Sequence, residues 1–364
     1  MFTASGAFSG SLALGENGTL YAASDDGFIY AIDSSGSLQW KFQSGPLYAA
    51  PSLGEDGTIY IANRDEHIFA INPRSGTQQW AAGGGPNADK HITWRGGAVD
   101  SNYFYTPFRG SMRGIRRTTG ALDWIAGEGF EVAGSASILP TGLVVFPSAG
   151  RVDAANSGGI VVWRYPVMDP PLTVDLLLEN RGHAPLGNFW LDSGIAVGAD
   201  GTLYMAAGGS RFVAIGPNGV LKWVAQPKKS STNWASPVVA ADGTIYFACG
   251  SGSLYALNLD GSVKWTLETN GPISATPVLA EDGTIYVLNS AALLAVSAAG
   301  KLIAKAPFTG GGNSSPTLAP DGTLYAASRT GEIVAFSTTH GPLMNSPWPK
   351  FQHDLANSGR APRL

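Results

Sequence analysis

One motif recurs about every forty residues and predicts an all-β fold, an eight-bladed β-propeller with four antiparallel strands in each blade. The motif Gly-Thr-(Leu/Ile)-Tyr occurs at 18–21, 57–60, 201–204, 243–246, 283–286 and 322–325 of the 364-residue chain. A tryptophan follows most copies by about twenty residues. A period near forty that holds four short strands is typical of propeller blades.

The sixth repeat shows how the elements of a blade are predicted. Its four segments, 235–239, 243–248, 253–257 and 262–265, are short and rich in β-forming residues. Asp-Gly pairs at 242–243 and 260–261 separate the strands and supply the positive φ angles that tight hairpins need. We therefore interpret the whole chain, 1–364, as a single propeller domain. Its repeats occupy about 10–43, 49–82, 96–126, 134–165, 193–225, 235–267, 275–305 and 314–351, with an insertion at 164–191.

Six repeats end in a tryptophan, and these residues are predicted to pack between blades rather than to bind a ligand. They are Trp40, Trp80, Trp124, Trp163, Trp223 and Trp265. Residues 1–3 align with residues 41–43, the end of the first complete repeat. They are interpreted as the end of an outer strand, and we expect that an export signal or upstream segment has been removed. Whether these residues lend a strand to the last repeat stays open.

Composition narrows the function classes. Charged residues make up only 14% of the chain, while 48 glycines and 23 prolines fit many short strands joined by tight turns. The formal charge of −4 argues against nucleic acid as a partner. The sequence has no apolar run of about eighteen residues, so no membrane span is predicted. The single cysteine, Cys249, excludes an intrachain disulfide.

The repeat unit Gly-Thr-Ile-Tyr … Leu-Tyr-Ala-Leu-Asn … Asp-Gly-Ser-Val-Lys-Trp at 243–265 resembles the tryptophan-docking repeat of the PQQ-like (pyrroloquinoline-quinone-type) β-propeller superfamily. The resemblance covers essentially the whole chain and is specific for the fold, but not for function. Its members include quinone-dependent dehydrogenases, an outer-membrane assembly lipoprotein and secreted proteins without assigned activity. The C-terminal run 347–360 resembles a tail of exported members, which implies an extracytoplasmic (periplasmic or secreted) location. We expect this tail to complete or clasp the last blade, with His353 and Asp354 in structural roles.

A quinone-dependent dehydrogenase is not the expected function. The resemblance implies that such enzymes carry an adjacent cysteine pair and a calcium site built from acidic and amide side chains. This chain has one cysteine and no carboxylate-rich cluster on adjacent loops that could supply six or more oxygens to calcium. We therefore expect no cofactor and no metal.

Unusual residues concentrate on one face of the predicted ring. We call it the loop face; it holds the loops before each first strand and between strands two and three, whereas the opposite turn face holds the Asp-Gly-Thr turns. The 164–191 insertion belongs to the loop face and is more than twice as long as equivalent connections. Aromatic residues beside Arg and Asn suit a sugar or another polar ligand. The predicted ligand-binding residues are Trp94, Arg95, Arg109, Asn188, Trp190, Asn233 and Trp234.

Three functions remain open from the sequence. The preferred one is a non-catalytic binding or scaffold module whose ligand or partner, an oligosaccharide or another protein, is engaged on the loop face. The alternative is a lyase or hydrolase of an acidic polysaccharide, in which Arg95 or Arg109 neutralises a carboxylate and His91 or His183 moves a proton. A structural domain of a larger surface protein is the third. In the alternative without a ligand site, the tryptophans would only fill the channel, and the arginines would pair with nearby acidic residues.

Overall fold

The computed structural model describes residues 1–65, 67–83, 96–108, 110–127, 134–148, 151–166, 193–207, 211–226, 235–312 and 314–362. Their strands form eight four-stranded antiparallel sheets, which are the blades of an eight-bladed propeller. The predicted fold class is therefore confirmed. In the part of the chain that is described, no helix is long and apolar enough to cross a membrane.

The first four blades follow the order of the chain, from the innermost to the outermost strand. Blade 1 contains β2 (Ala13–Leu14), β3 (Leu20–Ala23), β4 (Phe28–Ile32) and β5 (Leu38–Gln43). Blade 2 contains β6 (Ser52–Leu53), β7 (Ile59–Ala62), β8 (His67–Ile71) and β9 (Gln78–Gly83). Blade 3 contains β10 (Ala98–Val99), β11 (Tyr103–Phe108), β12 (Ser111–Arg116) and β13 (Leu122–Ala126). Blade 4 contains β14 (Ser137–Ile138), β15 (Val144–Ser148), β16 (Arg151–Ala155) and β17 (Val161–Pro166).

The next three blades repeat this order, and the eighth differs in its outer strand. Blade 5 contains β18 (Ala196–Val197), β19 (Leu203–Ala207), β20 (Arg211–Ile215) and β21 (Leu221–Ala225). Blade 6 contains β22 (Val238–Val239), β23 (Ile245–Ala248), β24 (Ser253–Leu257) and β25 (Val263–Glu268). Blade 7 contains β26 (Val278–Leu279), β27 (Ile285–Leu288), β28 (Ala292–Val296) and β29 (Leu302–Pro307). Blade 8 contains β30 (Thr317–Leu318), β31 (Thr323–Ala327), β32 (Glu332–Ser337) and, outermost, β1 (Phe2–Thr3).

The recurrent Asp-Gly-Thr triplet forms the turn between the first and second strands. In blade 6, Asp242 accepts hydrogen bonds from the Thr244 amide and from its hydroxyl, both at 2.9 Å. Gly243 between them has a φ of 81°, which a side chain would strain. These local bonds explain why the same three residue types recur at the start of the second strand.

The periodic tryptophans pack between blades, as predicted. The Trp163 indole donates to the carbonyl of Pro217 in the next blade at 2.9 Å, and its ring lies against Gly219. Trp40 and Trp265 make the corresponding bonds, to Pro73 and Ala298, at 3.0 and 2.9 Å. Each of these rings covers a glycine where a Cβ atom would lie under 3.0 Å from the indole. The tryptophan therefore fixes the spacing between neighbouring blades.

The N-terminal residues close the ring. In blade 8, Phe2 pairs with Ile333 and Thr3 pairs with Glu332, so that β1 supplies the outer strand that the eighth repeat lacks. This confirms the interpretation of residues 1–3 as the end of an outer strand. It also answers how the circle closes: the last blade combines both ends of the repeat array.

The C-terminal tail does not complete or clasp the last blade, and that expectation was wrong. From Pro342 onward the tail runs along the inner strands of other blades. Their last residues donate backbone N–H groups to tail carbonyls at 2.7–3.0 Å. The donors are Leu14, Leu53, Val99, Ile138, Val239 and Leu279. The physical reason is that each innermost strand presents an unpaired edge to the channel, and the tail supplies the acceptors that this edge needs.

A buried polar cluster holds the turn of this tail. The Lys350 ammonium donates to the carbonyls of Phe351 and Asp354 at 3.2 and 3.0 Å and also to the Asn357 side-chain oxygen. Burial lowers the pKa of Lys350 to about 7, against the raising effect of Asp354. Asp354 accepts from the Ser358 amide at 2.9 Å, and the His353 ring lies 5.3 Å from the ring of Trp348. Both His353 and Asp354 therefore have the structural roles predicted for them.

Candidate functional site on the loop face

The residues predicted to bind a ligand lie outside the described residues. This holds for Trp94, Arg95, Arg109, Asn188, Trp190, Asn233 and Trp234, and also for the catalytic candidates His91 and His183. Most of the 164–191 insertion lies outside as well. These assignments stay predictions, and the site is built here from the described residues that flank them.

The most unusual group beside the insertion is a buried ionic cluster in blade 4, formed by Arg151, Asp153 and Arg164. The Asp153 side chain is completely buried, and its Oδ2 atom lies 3.0 Å from both Nε and Nη2 of Arg151. Its Oδ1 atom lies 3.3 Å from Nε of Arg164. The side chain of Arg164 is 56% exposed, whereas that of Arg151 is 16% exposed. One buried acid is thus shared by one inner and one outer guanidinium.

Strand geometry explains why these three residues meet. Asp153 in β16 pairs directly with Arg164 in β17, and Arg151 lies two residues earlier on the same side of β16. In the third strands of blades 1 to 7, the residue after this position pairs with the docking tryptophan or its equivalent. In blades 1 and 6 the position itself is held by Tyr30 and Tyr255. Blade 3 has a charged residue there as well, Arg113, whereas the charged residue of blade 4 is an acid that is completely buried.

A third arginine, Arg211 of blade 5, acts electrostatically on the residue that follows Arg164. Tyr165 follows Arg164 on the outer strand, and burial raises the pKa of its phenol. The positive charge of Arg211, at the start of β20 on the loop face, opposes that rise. Arg151 and Arg164 both lie in salt-bridge distance of Asp153, while the charge of Arg211 acts on the neighbouring Tyr165. Three arginines are thus gathered beside the first residues of the insertion.

A second polar group lies on the loop face between blades 1 and 2. Arg64 donates to the Tyr48 hydroxyl at 3.0 Å and lies over that ring at 4.5 Å. Near it, Asp25 accepts a 3.4 Å hydrogen bond from the Ser9 hydroxyl. Burial raises the pKa of Asp25 to about 6, and both the Ser9 bond and the charge of Arg64 oppose the rise. Arg64 thus bonds to Tyr48 and Asp25 bonds to Ser9, and the group forms a polar rim of the loop face.

The turn face has a cleft of about 690 Å³ between the tail and the turns of blades 1–3. Two ion pairs involve residues of its walls. Arg360 of the tail lies 2.6 Å from Glu55, and Arg117 lies 2.7 Å from Asp56. Since these pairs attach the tail and neighbouring turns to blade 2, we assign the cleft a structural role.

Comparison with known proteins places the fold in a family. The family model described as outer membrane protein assembly factor BamB matches residues 2–128 and 148–354. The chain belongs to this family. The BamB family is one of PQQ-type propellers, so the resemblance found in the repeats is confirmed. No curated protein sequence matches the chain.

Solved structures agree with the fold of the BamB family. BamB from Moraxella catarrhalis is 16% identical with a TM-score of 0.73, covering 92% of this chain and 99% of that chain. The computationally designed Ika8 protein is 14% identical with a TM-score of 0.73, covering 92% and 98%. A europium-containing methanol dehydrogenase is 13% identical with a TM-score of 0.69, covering 89% and 84%. At these identities the likeness concerns the fold alone.

Sequence reasoning missed Arg151 and Asp153 and noted Arg164 only as the first residue of the insertion. A signal for them was present. Aligned on the docking tryptophan or its equivalent, the third strands of blades 1, 2, 5, 6 and 7 carry an aromatic or aliphatic residue where blade 3 has Arg113 and blade 4 has Asp153. A completely buried acid at a position that is apolar in five other repeats indicates a role beyond packing.

Proposed function

We propose that this BamB-family propeller is a non-catalytic binding or scaffold module that acts outside the cytoplasm. Its partner is another protein, which it engages on the loop face beside the 164–191 insertion. The observation that carries the proposal is the ionic cluster of Arg151, Asp153 and Arg164. It is a fully buried acid with two arginines, at the base of the longest interruption of the repeat.

The energetics of that cluster favour a binding role over a packing role. Burying a carboxylate is costly, and a well-packed apolar side chain at such a position is often as stable or more stable. Blades 1, 2, 5, 6 and 7 use an aromatic or aliphatic residue there. A charged cluster that stability does not require is better explained by recognition, because oriented charges define which surface can dock.

The family description supports a protein partner. An assembly factor of the outer membrane acts on other proteins, and its location is outside the cytoplasm. These considerations favour a protein over the oligosaccharide that the sequence left open. The predicted residues Trp94, Arg95, Arg109, Asn188, Trp190, Asn233 and Trp234 are proposed as further parts of the same contact surface. The polysaccharide enzyme, with His91 and His183 as its acid and base, remains the alternative to be tested beside it.

Photo-cross-linking with a matched pair of positions tests the proposal. Tyr165, on the loop face, and Tyr103, on the turn face, are both half-buried tyrosines. Each is replaced separately with benzoylphenylalanine in the full chain, which is then expressed in its own host and irradiated. We expect a discrete protein adduct from position 165 and none from position 103.

Two results would contradict the proposal. One is an adduct that forms from position 103 alone or from neither position. The other is cleavage of an acidic polysaccharide by the purified chain that is lost in both His91→Ala and His183→Ala, since that result would establish the enzyme.

A further inference from the structure

The guanidinium of Arg164 faces Asp153 at one edge and is exposed at the other. Its closest contact with Asp153 is through Nε, at 3.3 Å, and Asp153 is fixed in a strand with no exposed surface. Over half of the Arg164 side chain is nevertheless exposed. A guanidinium that binds an acid through Nε still carries two terminal NH2 groups, which form a planar fork. The charge of Asp153 therefore attracts the Nε edge of Arg164, without a hydrogen bond between them, and the outer edge of the guanidinium is left toward solvent.

The charge of Arg164 is not needed to neutralise Asp153. Arg151 already contacts the other carboxylate oxygen through two nitrogens, at 3.0 Å each, and is largely buried with it. Within the described residues, Asp153 is the single acidic group in salt-bridge distance of Arg164. Arg164 consequently adds a second positive charge beside Asp153, and this charge lies at the exposed end of the cluster.

We propose that Arg164, oriented by Asp153, is a carboxylate-binding residue that takes an aspartate or glutamate side chain from an acidic segment of the protein partner. The inference rests on the proposed function, since it names the chemistry of the surface that the partner presents there. A guanidinium fork matches a carboxylate in plane and spacing and donates two parallel hydrogen bonds to it. Because Arg164 lies at the surface rather than in a closed pocket, it suits the side chain of a flexible segment.

The experiment measures peptide binding to the full chain by fluorescence anisotropy. The probe is a fluorescein-labelled hexaglutamate peptide, and hexaglutamine is the uncharged control. The variants are Arg164→Gln, Arg164→Lys and the matched control Lys222→Gln. Lys222 is also an exposed cation paired with one acid, Asp200 at 2.7 Å, but it lies on the turn face.

Hexaglutamate is expected to bind and hexaglutamine not to bind. Arg164→Gln should weaken hexaglutamate binding by about tenfold or more, the size expected of a lost bidentate pair. Arg164→Lys should weaken it several-fold, because a lysine keeps the charge but has no fork. Lys222→Gln should leave the affinity within about twofold of the unchanged protein, since its charge lies on the other face.

Three results would overturn the inference. Equal weakening by Lys222→Gln would show attraction to the overall charge, and full binding by Arg164→Lys would show that a point charge suffices. Stronger binding of an oligogalacturonate than of hexaglutamate would assign the site to an acidic sugar. The proposed function can fail separately. If the adduct from position 165 also forms in an Arg164→Gln background, the loop face binds a protein without Arg164.

Discussion

Replacing Asn357 with glycine is expected to lower the free energy of unfolding by about 4 kcal/mol. Asn357 is completely buried where the tail crosses the inner strands. Its amide donates to the carbonyls of Leu12 and Pro51 at 3.2 and 3.1 Å, and its oxygen accepts from the Lys350 ammonium. The first two partners belong to blades 1 and 2, so that this one side chain joins the tail to two blades.

The magnitude follows from those three hydrogen bonds. Each neutral bond contributes about 1 kcal/mol, and a bond to a charged group contributes about 1.5–3 kcal/mol. Asn357 also has a φ of 52°, a left-handed conformation that glycine adopts freely. Glycine therefore removes the bonds without adding strain, whereas Asn357→Ala should lose about 1 kcal/mol more.

Urea unfolding followed by tryptophan fluorescence measures both variants. Asn270 is the matched control, because it has a φ of 57° but is exposed on a loop. Asn270→Gly should be nearly neutral, while Asn270→Ala should lose about 1 kcal/mol from strain alone. If Asn357→Gly stays within about 1 kcal/mol of the unchanged protein, the tail does not hold the inner strands and the reasoning is refuted.

Three further predictions concern pH and packing. Burial raises the pKa of Asp25 to about 6, so the folded protein keeps a proton that the unfolded chain releases, and stability falls as pH rises from about 4 to 6. In urea unfolding, Asp25→Asn should therefore stabilise the protein by about 1–2 kcal/mol at pH 7 and should have no stabilising effect at pH 4. Burial lowers the pKa of Lys350 to about 7, so above that pH the unfolded chain binds more protons than the folded protein. The urea concentration at the unfolding midpoint should therefore increase when the pH is raised from 7 to 9. Lys350→Met should remove this increase. Gly261 has a φ of 83° and a Cβ there would lie 2.7 Å from the Trp223 ring, whereas Gly18 has a φ of 78° with open space around it. Gly261→Ala should therefore cost about 2–4 kcal/mol and Gly18→Ala about 1 kcal/mol, and equal losses in thermal unfolding would argue against docking by the tryptophan.

The blades could be predicted because their information is local. The Asp-Gly-Thr turn bonds to itself within three residues, and Trp163 docks on a neighbour one repeat away. Such contacts leave a periodic trace in the sequence. The N-terminal strand could be recognised for the same reason, since residues 1–3 match the end of a complete repeat.

The path of the tail could not be predicted in this way. Its partners are main-chain N–H groups at the ends of inner strands in six different blades. These main-chain N–H groups do not depend on the side chain, so the sequence of the inner strands does not indicate that the tail will bind there. Only the assembled ring brings these edges together, and the closed channel then supplies the site that Trp348 and Lys350 fill.

The candidate site could be predicted from the sequence only in part. The insertion was recognised from its length, and Arg164 marked its beginning. The role of Asp153 depends on a comparison of third strands across blades, which requires the register with the docking tryptophan. Its burial and its two arginines emerge only when β16 and β17 are paired.

Hydrogen–deuterium exchange tests the central claim most directly. It is measured on the full chain alone and on the full chain mixed with the partner protein that the cross-link at position 165 identifies. The account predicts slower exchange in β16, in β17 and in residues 164–191 when the partner is present, with no change in the turns around Asp200 and Asp242. Slower exchange confined to the turn face, or to the tail from Pro342 onward, would contradict a partner site on the loop face.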